Sequence, residues 1–219
     1  MSETVITVQG RFSHHRAPER ARVTLTVSFD GHDRVFVFHA AAAAAESLAS
    51  RIARDFDPVA GPMHAHSSDS VRTWAERPWN QEGIYLPLVH HANVSFTANY
   101  GDFGALARFV DDVVDIEGVT IGGVDWSLTE GTLSSLVAEV RSRAVKDAVA
   151  KASVYAQSIG LGSVRAVAIA DAGMLSDTSS PPEVPHLMRF TSSTSGGEIW
   201  LRPEEIAVEA VVDARFVAS

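Results

Sequence analysis

The 219-residue chain contains no cysteine. Disulfides, thiolate nucleophiles and cysteine-ligated zinc are therefore excluded. It also lacks any apolar run approaching the roughly 18 residues that a membrane-spanning helix needs, so the sequence predicts no membrane insertion. The N-terminus, MSETVITVQGRF, has no basic segment followed by an apolar one. Without that export pattern the expectation is a cytoplasmic protein. Positive charge is scarce: 18 basic residues stand against 27 acidic ones, a formal net charge of −9. A nucleic-acid binder needs a basic stripe, so nucleic acid is excluded as a partner, and an anionic membrane surface is disfavoured on the same ground. No G-x-S-x-G marks a hydrolase nucleophile turn. Gly160-Leu161-Gly162-Ser163 looks superficially like a phosphate loop, but it follows a predicted helix, so no helix N-terminus would face a phosphate.

What is present is mainly architecture. Hydrophobic residues make up 46% of the chain, enough for one sizeable core or two small ones. The organising stretch runs from Leu133 to Gly162. Apolar residues at 133, 136, 137, 140, 144, 148, 152, 155 and 159 follow helical spacing. Glu139/Arg143 and Asp147/Lys151 are acid-before-base pairs one turn apart. Gly160 fits the left-handed position after a helix end, with Leu161 as the apolar residue beyond it. Ala144, Ala148, Ala152 and Ala156 make a face that can approach a sheet closely. Val145, Val149 and Val154 widen the stripe beyond what one sheet covers; a neighbouring helix or a subunit contact would bury the rest.

Around this helix the chain reads mostly as strands. Thr4 to Phe12 is a strand and Arg11 to Glu19, with His14 and His15, a loop. Ala21, Val23, Leu25, Val27 and Phe29 alternate with polar residues in a strand with one buried face. Arg34 to Phe38 could return as a hairpin strand, but the favoured reading is that Asp33 caps a helix that runs on through six alanines and is ended by Asp57-Pro58. Residues 59–70 read as a loop and Val71 to Trp79 as a strand. The clearest strand places Ala92, Val94, Phe96, Ala98 and Tyr100 on one face. Asp102 caps a second helix with Leu106, Phe109, Val110, Val113 and Val114 on its inner side. Gly118 and Gly122-Gly123 break the chain before a short strand at Val124, Trp126 and Leu128. Ser163 to Asp171 is a strand, Gly173 to Gly197 a long mobile loop, and Ile206 to Phe216 a final strand. The fold class is α+β, a mainly antiparallel sheet with one long and two shorter helices packed on it, in the order β-β-α-β-β-α-β-α-β-β. A split βαβ pair in the ferredoxin manner would account for residues 21–129. The whole of 1–219 reads as a single domain.

The blocks VITVQGR, ARVTLTVSFDG, VRTW, HHANVSFTANYGDFGALARFVDDV, GVTIGGVDWSLTEG, AVKDAVAKASVYAQSIGLGSV and RPEEIAVEAVVDARF occur in this order along the chain. In that order they resemble the SIMPL-domain family, bacterial envelope and stress-associated proteins with distant relatives linked to signalling adaptors. The resemblance implies an α+β fold, a tendency to homo-oligomerise and a link to stress response. It supplies no catalytic residue.

Candidate chemistry is sparse. His64 and His66 form an H-x-H that could ligate zinc or copper, but a site needs further ligands, and Asp69, His14, His15 or His186 would have to supply them. A solvated loop pair is the favoured reading of both histidines. His90 and His91 start a strand, so they point to opposite faces, His90 partly buried and His91 exposed. Asp111, Asp112, Asp115 and Glu117 read as a solvated helix face, with cation binding the alternative. Trp74 and Trp79 are core or rim residues, or the lining of a ligand pocket. The function expected is a non-enzymatic, homo-oligomeric assembly or adaptor protein with no cofactor. The alternatives are a small-ligand binding module with 173–197 as its lid, and a metal-dependent enzyme using His64 and His66.

Overall fold

The structure is a computed structural model that describes residues 3–79, 85–175 and 203–219. Its elements are β1 (Thr4–Arg16), β2 (Arg20–Gly31), α1 (Arg34–Asp55), β3 (Met63–Ser68), β4 (Arg72–Glu76), β5 (Val89–Tyr100), α2 (Phe103–Val114), β6 (Val119–Ser127), α3 (Glu130–Ser158), β7 (Val164–Asp171) and β8 (Ile206–Ala218). All paired strands are antiparallel. The α+β class and the three helices agree with the sequence. The single expected sheet is instead two, one in each of two compact units.

The first unit holds β1, α3, β7 and β8, its sheet ordered β1-β8-β7. β1 pairs with β8 along its whole length, from Thr4↔Ala218 to Arg16↔Ile206. It therefore continues through His14 and His15, where the sequence predicts a loop: the thirteen-residue β8 supplies partners that local composition does not reveal. α3 has 29 residues, so it is a rod of about 43 Å at ~1.5 Å per residue. Its buried residues are Leu136, Val140 and Ala144, Ala148, Ala152, Ala156, which lie on Ile6, Val8, Val212, Ala214 and Phe216. Only small side chains allow this approach: a Cβ on Gly10 would lie 2.8 Å from the Ala148 Cβ and run into the Ala144 carbonyl. α3 ends as its sequence dictates. Gly160 takes φ +78°, Leu161 N–H donates to Ala156 O at 2.9 Å and Gly160 N–H to Gln157 O at 3.1 Å, a Schellman closure. Val149, Val154 and Tyr155, on the rest of the wide stripe, stay exposed.

The second unit holds the remaining elements, with the sheet ordered β3-β5-β2-β6 and β4 on the other half of β5. That is the strand order of a split βαβ pair, with the second strand broken into β3 and β4. β3 corrects the loop predicted over 59–70. Of MHAHSS only Met63 is buried, so no alternation announces a strand, yet it pairs from Met63↔Tyr100 to Ser68↔Phe96. β6 likewise starts earlier than predicted; the register slips between Thr24 and Leu25, and Gly122-Gly123 lie within the strand at that irregularity rather than before it. Asp33 caps α1, accepting from Val35 N–H at 2.8 Å and Phe36 N–H at 3.2 Å. α1 is long and apolar enough by composition to cross a membrane; here Leu48 and Ile52 pack on Leu25, Phe96 and Tyr100, with Leu106 and Phe109 of α2 in the same core. The loop expected over 173–197 lies, beyond Leu175, outside the described residues.

Candidate functional site

α1 begins with Arg-Val-Phe-Val-Phe-His, and its Val37 and Ala41 close on Ala92 of β5 in a small buried cluster. Side chains alternate along a strand, so His90 faces the same side as Ala92 and His91 the other. β4 pairs here, with Ala75 opposite His90 and Trp74 opposite His91. Between the start of α1 and β4 the chain leaves a cleft of about 650 Å³, lined by residues that include Arg34, Val35, Phe38, His39, His90 and His91. Its apolar walls are unusually open: Val35 is 64% and Phe38 43% exposed. None of the described residues lining it is acidic.

His90 and His91 do point to opposite faces, but His91 is not the exposed member. Its side chain is 22% exposed and lies 3.7 Å from Glu76. Its ring stacks on Trp74 with centroids 5.0 Å apart, and Nε2 is buried without a hydrogen-bond partner. Trp74 thus borders the cleft, as a pocket-lining role requires, whereas Trp79 is largely exposed and does not line it.

His64 and His66 go to separate neighbours. The His66 ring meets Phe56 edge-on at 4.6 Å, while His64 lines a second recess of about 470 Å³ with Arg20 and Arg108. Among the described residues no group of three or more His, Asp or Glu is arranged to hold a metal ion. His186 lies outside them. The acidic run on α2 is partly paired: Arg54 reaches Asp112 at 3.4 Å, and Arg51 donates to the Asp112 carbonyl.

The first unit treats its two sheet edges differently. At β1, the Asp147 carboxylate accepts the Arg11 N–H at 2.8 Å and the Lys151 ammonium donates to Gln9 O at 3.0 Å. The two side chains are joined at 2.7 Å. An ion pair of the helix therefore takes the place of a neighbouring strand. The Lys151 hydrogen bond, and after it the Arg11 amide, holds the Asp147 carboxyl below its ordinary 3.8. At the other side β7 pairs only with β8 among the described residues, and Val167 and Ile169 are 45% and 50% exposed. The sequence announces Asp147 and Lys151 as a helix pair but gives no signal of their strand partner.

Residues 6–216, nearly the whole chain and both units, match the SIMPL family, described as proteins of unknown function (DUF541). The chain belongs to the SIMPL family. No curated protein matches it. Among solved structures, one likeness is to a protein of methicillin-resistant Staphylococcus aureus with a provisional aminohydrolase name, at 13% identity and a TM-score of 0.24 over 63% of this chain and 39% of that one. Another is to a Burkholderia cenocepacia protein provisionally named an amidohydrolase/peptidase, at 15% identity and a TM-score of 0.20 over 74% and 36%. This SIMPL chain spans well under half of either protein, and at those scores the likeness carries no argument about fold or chemistry.

Proposed function

We propose that the protein is a non-enzymatic assembly protein that joins a second copy of itself through the edge of β7 that faces away from β8. The observation that carries this reading is the contrast between the two edges of one sheet. β1 is met by Asp147 and Lys151, whereas among the described residues nothing pairs with the outer edge of β7, where Val167 and Ile169 are exposed. An open, apolar strand edge is a template for pairing, and natural proteins cover or charge such edges unless they use them. The strand carries Arg165 near one end and Asp171 at the other. Antiparallel pairing of two β7 strands brings unlike ends together and parallel pairing like ends, so a two-fold, isologous contact is the favoured one. It would extend the three-stranded sheet to six strands.

The test is absolute mass in solution by light scattering after size exclusion. A discrete multiple of 23.5 kDa that falls to the monomer in Val167→Lys/Ile169→Lys is the expected result. A wild-type chain that stays monomeric at micromolar concentration overturns it, as does an oligomer that the double substitution leaves intact.

A further inference from the structure

We infer that the cleft between α1 and β4 binds a small carboxylate with a flat apolar body, such as an aromatic acid. Its volume of about 650 Å³ lies within the range of small-molecule sites, roughly 300–1,000 Å³. Val35 and Phe38 offer apolar walls that no other part of the described chain covers. A ligand ring laid against them gains about 25 cal/mol per Å² of apolar surface removed from water.

The polar groups fix the sign of the head group. Arg34 is the permanent cation at the cleft, and its side chain makes no ion pair or hydrogen bond among the described residues. His39 meets the Phe38 ring edge-on, and neither His39 nor His90 has a hydrogen-bond partner among the described residues. Two acids adjoin lining residues, Asp33 before Arg34 and Glu76 after Ala75. Asp33 accepts the first amides of α1, and Glu76 lies 3.7 Å from His91. A chain with a net charge of −9 thus presents, at one concave apolar place, a guanidinium and the imidazoles of His39, His90 and His91, with no lining acid among the described residues. A carboxylate matches the planar fork of Arg34 and can accept two parallel N–H bonds from it. A neutral ligand of the same shape would leave the guanidinium unanswered.

Calorimetric titration of the full chain with 2-naphthoate, and with 2-naphthalenemethanol as its neutral counterpart, tests this. Naphthoate is expected to saturate one site per chain. Arg34→Gln should weaken it about tenfold, the size of one charge-assisted hydrogen bond. The alcohol should bind about tenfold more weakly than naphthoate and ignore Arg34→Gln, since both effects remove the same contact. Phe38→Ala should weaken both probes. Arg141→Gln, an equal charge change on α3, should leave both unchanged, and Arg34 is exposed at a helix start, so its substitution leaves the fold intact by circular dichroism. Absence of saturable naphthoate binding overturns the assignment. So does an affinity unchanged in Arg34→Gln, which would mark non-specific apolar adsorption.

Discussion

Asp147 and Lys151, one turn apart on α3, act on β1 as a strand would: one accepts an amide of its edge and the other donates to a carbonyl of it. A surface helix pair alone is worth a few tenths of a kcal/mol. Tied to a backbone edge it does more, because its loss leaves an amide and a carbonyl without partners. Asp147→Ala is expected to cost about 1 kcal/mol after allowance for solvent screening at this partly exposed site. Adding Lys151→Ala should cost less than the sum of the single changes, since the two residues form one unit. Urea unfolding of the three variants measures this, and strict additivity would sink the bridging account.

The same carboxylate sets an acid limb of stability. Its native pKa lies below the ordinary value, through Lys151 first and the Arg11 amide second. The contribution is therefore complete above the unfolded value of about 3.9 and is lost as pH falls below it through the lowered native value. Unfolding free energy followed between pH 6 and pH 2 should fall less steeply below about pH 4 in Asp147→Asn than in wild type. Superimposable profiles would refute the assignment.

Tyr100 sets the alkaline limb. Its ring is buried in the second unit's core and its hydroxyl donates to Asp55 at 3.0 Å. Burial foremost, and then the Asp55 charge, push its pKa well above the ordinary 10.0. The unfolded chain loses the proton first, so this contribution is present below about pH 10 and disappears as pH rises from there towards the native value. Tyr100→Phe should be less stable near neutrality by about 1 kcal/mol and should show a shallower decline above pH 10. An unaltered slope in the variant is the contrary result.

Two glycines should respond in opposite directions. Gly10→Ala forces a methyl against Ala148 and the Ala144 carbonyl, where neither backbone can yield without lifting α3 from β1. The expected loss is about 2–3 kcal/mol, or ~4–12 °C in Tm for a chain of this size. Gly131, in the first turn of α3, has nothing within 4 Å of an added Cβ. Gly131→Ala should gain about 0.5–1 kcal/mol from the lower entropy of the unfolded chain. Thermal melts of both variants decide it, and equal shifts in one direction would show that the close approach at Gly10 has no energetic role.

The sequence by itself determined the elements whose signals are local. Strict alternation marks β2, β5 and β8, helical spacing and four alanines mark α3, and Asp33, Asp102 and Gly160 mark helix ends through caps that need only the next few residues. The SIMPL membership was legible in the order of short blocks. Tertiary structure alone decided which strands pair and which edges stay open. β3 exists because β5 offers it partners, not because MHAHSS favours a strand, and β1 runs through His14 and His15 because β8 does. The division into two sheets rests on contacts such as Gln9 to Asp213, 204 residues apart. Asp147 and Lys151 read as an ordinary helix pair until a strand edge lies beside them. Periodicity records which face of an element is apolar, but what meets that face is fixed by contacts between residues far apart in the chain.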